Sequence, residues 1–280
     1  MNRIKKIFIY TALVLFSLVF LTGCIKLKTV IKVKPDGSGT VEQTFLIQQE
    51  FVEMLRGLSK MGSGESGTED SEEEFSLMDR EKLESFAGQM GEGVSFLSAD
   101  PLREGGFEGY LARYSFSDIS KLRVNQNPGE LVTQVPSEMP QEEQTRELVT
   151  FSFTRGNPSI LKVYMPELKE EESEDGGSGT GEEDEPSVED MEMLKQLYST
   201  MLLRMWIEVE GDILNTNATY REGSQIILME MDFGKIVEQE DKLEELLKNK
   251  TRSIEETKEM VGDIPGIRVE LEDAVEIQFR

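Results

Sequence analysis

The sequence predicts an α+β protein in which antiparallel sheets of hairpins carry a few packed helices. Three observations predict it. Several segments alternate apolar and polar residues with period two, the mark of strands buried on one face. Turn-forming residues separate those segments at hairpin distance. Helical spacing of apolar residues recurs only in short stretches between them, without strict β-α alternation.

The elements follow in chain order. From Ile25 the odd positions read Ile25, Leu27, Thr29, Ile31 and Val33, while Lys26, Lys28, Lys32 and Lys34 take even positions. "PDGSG", residues 35–39, supplies turn chemistry, since Pro fixes φ and Gly tolerates φ > 0. The return strand is expected to bury Val41, Phe45 and Ile47 and to expose Glu42 and Thr44, with Glu42 facing a lysine across the hairpin. Phe51, Met54, Leu55 and Leu58 have helical spacing, and a second helix over 77–90 would carry Leu83, Phe86 and Met90 on one face. Strands are expected at 94–98 and 109–116. Residues 147–166 read as a hairpin, with Phe151 and Phe153 answered by Leu161, Val163 and Met165 around a turn at 155–158.

Residues 191–201 read as a helix, and "RMWIEVEGDILNTNATYREGSQIILMEMDF" reads as three strands. "KIVEQEDKLEELLKN" has the pattern of a short amphipathic helix, and "GIRVELEDAVEIQF" ends the chain as two strands around Glu272 and Asp273. Two segments cannot contribute to a core. Residues 61–74 hold six acids and no base, and residues 169–190 hold eleven acids against one lysine. Dense like charge with little apolar surface cannot offset chain entropy, so both are expected to be disordered insertions. Calcium binding would need acids at fixed spacing, and neither segment matches the EF-hand loop.

The chain therefore divides into a leader at 1–23, a hairpin and helix at 24–60, an acidic loop at 61–75, a central α+β part at 76–166, a second acidic loop at 167–190 and a C-terminal α+β part at 191–280. Residues 24–280 are expected to form one composite domain.

The leader begins with "MNRIKK" and continues into fourteen uncharged residues, "IFIYTALVLFSLVF". A basic start before an apolar run is the form of a secretory signal, with Arg3, Lys5 and Lys6 held on the cytoplasmic side. As a helix the apolar run from 7 to 21 spans about 22 Å, short of the roughly 20 residues a membrane span needs. Leu21, Thr22, Gly23 and Cys24 close it, and Cys24 is the only cysteine in the chain. This quartet resembles the lipobox of bacterial lipoproteins. The resemblance implies a diacylglycerol on the Cys24 sulfur, cleavage before Cys24, and a lipid-anchored protein of the cell envelope. It would sit on the outer face of the plasma membrane, or in the outer membrane where there are two, because Ile25 is not the retention aspartate of that family. Acyl chains anchor stably only when there are two or more.

Removing residues 1–23 takes away three bases and no acid, leaving 27 Lys+Arg against 55 Asp+Glu and a formal charge of −28. Nucleic acid is excluded as a partner, because that affinity depends on cationic side chains displacing counterions. With Cys24 modified no disulfide can form, so stability must come from packing. The chain has no histidine, which removes the commonest general base and metal ligand. No catalytic residue, metal or cofactor is expected.

Two further patterns stand out. "YSFSDISKL" (114–122) and "MEMDFGKIV" (229–237) both place Asp, an apolar residue, any residue, Lys and an apolar residue at the end of a strand, on Asp118 and Asp232. Each Asp is expected to cap a helical turn; the alternative is that both line one cleft. The lipobox, "KPDGSGTVEQTF", "GYLARYSFSDISKL" and "VEGDILNTNATYREGSQIILMEMDF" together resemble the LppM-type domain of bacterial envelope lipoproteins, with Val209, Gly211, Ile213, Asn215 and Asn217 in the later motif. That resemblance implies an α+β domain outside the membrane that binds lipid or glycolipid, and it carries over no catalytic residue. The C-terminal membrane helix found in such proteins has no counterpart after residue 24, where no stretch is apolar enough to span.

The function expected is that of a non-enzymatic binding or interaction module held to the membrane through Cys24. Lys26, Lys28, Lys32 and Lys34 would touch phosphate headgroups, or else form a solvated or edge-protecting face. The alternatives are an architectural subunit docking an envelope protein complex, and a cell-wall hydrolase using two carboxylates about 5 to 9 Å apart.

Overall fold

The computed structural model describes residues 25–62, 76–125, 148–166, 195, 198–239, 262 and 264–280. The strands are β1 (Ile25–Val33), β2 (Gly39–Gln48), β3 (Val94–Glu104), β4 (Phe107–Phe116), β5 (Arg123–Asn125), β6 (Leu148–Thr154), β7 (Ser159–Tyr164), β8 (Leu202–Val209), β9 (Ile213–Thr216), β10 (Arg221–Glu222), β11 (Gln225–Asp232), β12 (Ile267–Val269) and β13 (Ala274–Phe279). The helices are α1 (Gln49–Gly62), α2 (Arg80–Gln89) and α3 (Phe233–Val237), with a 3-10 turn at Ile119–Lys121.

Two sheets result. The long one runs β10-β11-β8-β1-β2-β4-β3, with β12 also on β11, and the shorter one runs β5-β6-β7-β13-β9. The α+β class and the antiparallel character stand. Among the described strand pairs one is parallel, β1 with β8. Alternation fixes which face each strand buries but not which distant strand it meets, so this pair was not expected.

The β1 alternation is realised residue by residue: Ile25, Leu27, Thr29, Ile31 and Val33 are buried, and the residues between them are half-buried. One continuous core joins the inward residues of both sheets, such as Ile31, Val41, Tyr114, Ile207, Phe151, Val163 and Phe279, to Phe51 and Val52 of α1 and Leu83 and Ala87 of α2. The hairpin at 148–164 forms as expected, with Phe151 opposite Val163 and Phe153 opposite Leu161.

Several elements differ from expectation. Strand β3 extends to Glu104, past Pro101, which an edge strand tolerates because one side has no ladder to donate to. The stretch after residue 201 makes four strands rather than three, and β9 leaves the long sheet for the short one. Gly211 allows that departure, at φ +134 with the Arg280 carbonyl only 2.2 Å from where a Cβ would stand. Met54 in α1 is exposed rather than on an apolar face. Residues 63–75 of the first acidic loop, all of the second, residues 191–194, 196 and 197 of the 191–201 helix and most of the helix after residue 235 lie outside the described residues, while Met61 and Gly62, expected in the first loop, end α1 instead.

The β1–β2 turn ties the sheets together. Gly37 adopts φ 85, Ser159 Oγ donates to Pro35 O at 2.9 Å, an Arg155 Nη donates to Asp36 O at 2.9 Å, and Ile119 N donates to Gly37 O at 2.9 Å. The Asp36 carboxylate accepts from Ser38 Oγ at 2.7 Å and Ser38 N at 3.0 Å, and these bonds hold its pKa below the ordinary aspartate value.

Two tests follow from these contacts. Ile31→Ala, at a fully buried position, should cost about 2–5 kcal/mol in urea unfolding, whereas Lys28→Ala on the opposite face should stay within about 0.5 kcal/mol. Asp36 should titrate below the usual range by NMR, and Ser38→Ala should raise it. Because the folded pKa is depressed, the Asp36 contribution is present above the unfolded value and is lost as pH falls through the folded one.

Candidate functional site: the outward face of the long sheet

The even positions of β1 face away from the core, on the outward side of the long sheet. Register places Lys26 beside Leu202, Lys28 beside Arg204, Val30 beside Trp206 and Lys32 beside Glu208. On the other flank stand Leu46, Thr44, Glu42 and Thr40. The lysine row thus runs up the middle of the sheet and protects no edge. Lys34 does not belong to it, since β1 ends at Val33 and Lys34 lies exposed in the turn.

The cations on this face are mostly engaged. Lys32 Nζ lies 3.0 Å from Glu42 Oε1, the cross-hairpin pair expected from the sequence. Arg113 of β4 reaches Asp100 of β3 and lies 3.9 Å from Glu42. Lys26 Nζ sits 3.9 Å from the centre of the Phe107 ring, a cation–π contact. Glu230 of β11 takes Arg204 Nε at 3.0 Å and Arg268 at 2.8 Å. The Arg204 contact is too oblique for a hydrogen bond and acts as an ion pair. Lys28 makes no ion pair among the described residues, and Arg204 beside it is neutralised by Glu230. Trp206, the single tryptophan, stands between Val30 and Ile227. Its indole Nε1 is buried, with no hydrogen-bond partner among the described residues.

Among the described residues three carboxylates are buried. Glu108 is held by Arg56 of α1 and by Arg103 at 3.5 Å. Glu230 lies between its two arginines. Glu270 accepts from Thr219 N at 2.8 Å, Thr219 Oγ1 at 3.0 Å, Leu271 N at 3.0 Å and Glu272 N at 3.2 Å, which fastens the loop after β9 to the end of β12. Among the described residues no group of three acids could hold a metal ion.

Asp118 caps its 3-10 turn by accepting from Ser120 N at 2.9 Å. Asp232 makes no cap bond and pairs with Lys235 at 3.2 Å. The two do not share a cleft: Asp232 aligns across the sheet with Lys26, at the start of β1, whereas Asp118 follows Phe116, which aligns with Val33 at its end.

Cys24, with Leu21, Thr22 and Gly23, lies outside the described residues. Its covalent position still matters, because the next residue, Ile25, is the first of β1. Sequence reading missed Arg204, Trp206, Glu230 and Arg268 as companions of the lysines. The signal for half of them was available, since "LLRMWIEV" alternates and puts Arg204 and Trp206 on one face. Their meeting with Lys28 required the parallel pairing.

Glu230→Ala strands two arginines. They are about a third exposed, so the loss in urea unfolding should be about 1–3 kcal/mol, below that of a fully buried pair. Glu230→Gln should recover part of it.

No family model matches the chain, and no curated protein matches it. Among solved structures, the folded domain of LppM from Mycobacterium tuberculosis, determined by NMR, aligns over 92% of this chain and 91% of that one, at 10% identity and a TM-score of 0.33. The structural likeness to that domain is weak, and it neither places the chain in a family nor lends it a function.

Proposed function

We propose that this chain is an envelope lipoprotein anchored through Cys24, and that its folded part is a non-enzymatic binding module for lipid or glycolipid. One observation supports this above the rest. Strand β1 starts at the residue after Cys24 and runs up the middle of the long sheet. A lipid on Cys24 would therefore seat the body on the bilayer with no spacer, and would put the start of β1 at the surface.

At that end Lys26 is the first cation of the row, and it is braced over Phe107 rather than paired with an acid. Lys28 follows one pleat higher. Both are available to headgroup phosphates, while Lys32 is committed to Glu42 and Lys34 sits at the far end. Headgroup contact on this reading narrows to Lys26 and Lys28. For the non-enzymatic part we note that, among the described residues, the buried carboxylates Glu108, Glu230 and Glu270 are held by arginines, backbone N–H groups or a hydroxyl.

Metabolic labelling with alkyne-palmitate tests the anchor. The wild-type chain should take label and sediment with membranes, and Cys24→Ala should lose the label and the membrane fraction together. An unlabelled wild type, or a Cys24→Ala chain that keeps its label, overturns the proposal. Native mass spectrometry of the full chain from its own envelope tests the binding role. A co-purifying lipid or glycolipid mass is expected, and a bare mass counts against it.

A further inference from the structure

A bilayer that holds this chain through Cys24 meets one end of the long sheet, and the rise of β1 sets how far each residue stands from it. Counted from Ile25, Lys26 is about 3 Å up the strand, Lys28 about 10 Å and Val30 about 17 Å. Trp206 is level with Val30. The headgroup layer is only about 5–7 Å deep on each side of the hydrocarbon. A sheet standing upright on its tip would bring Lys26 to the phosphates, hold Lys28 above them and leave Trp206 well clear.

The tip is a poor seat for an anionic surface. Strand β1 begins there and β2 and β3 end there, and Glu50 and Glu53 of α1 and Glu104 of β3 stand exposed around it. Arg56 and Arg103, the arginines nearby, both turn to Glu108. The outward face just above has the opposite balance. Its lowest transverse row is Asp232, Leu202, Lys26, Leu46, Gly109 and Leu102, and the next is Glu230, Arg204, Lys28, Thr44, Leu111 and Asp100. Every acid in these two rows is matched: Asp232 by Lys235, Glu230 by Arg204 and Arg268, and Asp100 by Arg113. Lys26 and Lys28 have no acid partner among the described residues, so the surplus on this face is positive. Half-buried Leu202, Leu102 and Leu111 stand among the cations, an arrangement that lets lysine stems lie on apolar surface with their heads in the phosphate layer. The acids of residues 61–74 and 169–190 lie outside these strands, and charges beyond a Debye length of about 8–10 Å are largely screened.

We propose that the anchored chain leans over onto the lower half of this outward face, so that Lys26 and Lys28 together meet the phosphates of an anionic phospholipid surface and Trp206 comes down to headgroup level. The occupant of the face is the bilayer itself. Two observations select it: the chain preceding β1 ends beside Lys26, and the charge left over on the face complements that of the lipid. The proposal rests on the anchor through Cys24 argued above, and it adds an orientation and a lipid class, acidic rather than zwitterionic. Leaning stops short of the upper rows, where Glu42 and Glu208 flank Lys32 and Trp206 and turn the balance back toward negative.

Trp206, the single tryptophan, serves as the height gauge in the test. The full chain, taken from membranes with its lipid, is placed in nanodiscs of phosphatidylcholine alone or mixed with phosphatidylglycerol, each doped with a lipid carrying a nitroxide quencher on its headgroup. Trp206 fluorescence should be quenched in the mixed discs and roughly threefold less in phosphatidylcholine alone, because lysines near a surface are drawn to it by its negative charge. Lys26→Gln combined with Lys28→Gln should bring the mixed-disc value down to the neutral one, whereas Lys34→Gln, in the turn at the other end of β1, should leave it unchanged. Trp206 unquenched in mixed discs, equal quenching in both lipids, or a double variant that quenches like the wild type would each overturn the leaning face. In those cases a chain that still carries lipid on Cys24 keeps the anchor and stands upright or is seated by apolar contacts alone. A chain without that lipid, which fails to enter the discs, removes both readings.

Discussion

The rest of the molecule depends on β1 being paired along both sides. Its nine residues pair antiparallel with β2, and eight of them, Lys26 to Val33, pair parallel with β8, so the strand is flanked on both sides from Lys26 onward. That placement sets the inward layer, because every second residue of β1 is forced into the core. It also sets the outward layer, because the intervening lysines must then stand on the other face. The long sheet grows outward from this strand, through β2, β4 and β3 on one flank and through β8 and β11 on the other.

Charge is handled in a matching way. The chain is strongly acidic, and the acids buried among the described residues are each held by local partners. Glu230 binds β11 to β8 and β12 through two arginines, and Glu108 binds β4 to α1 through one. Glu270 is satisfied by backbone and hydroxyl donors alone. A carboxylate so held fastens elements together.

Much of this was legible in the sequence, for reasons that are local. The 25–48 hairpin was readable because strict alternation, a Pro-Asp-Gly turn and a returning apolar pattern all agree. A lysine partner for Glu42 was expected across the hairpin, and Lys32, diagonal to it in the register, supplies it. What stayed hidden was non-local. Nothing near Lys28 announces that Arg204 will lie beside it, since that neighbour comes from a parallel partner more than 170 residues away. The departure of β9 into the second sheet was missed because Gly211 looks like any turn glycine until the Arg280 carbonyl is placed against it.

The parallel partnership of β1 also governs the order in which the protein can assemble. Strand β1 emerges during synthesis well before its second neighbour, β8, which begins only at Leu202. Loop-closure entropy must be met before that contact rewards it, which makes such topologies slow to fold. Until residues 202–209 arrive, β1 can complete only the hairpin with β2, and its other side presents an unpaired ladder beside a row of buried-type side chains. A nascent chain in that condition is prone to pair with the wrong strand, including one from another copy. The lysines alternating along β1 then serve a purpose before the fold exists, since like-charged strands repel one another in transit.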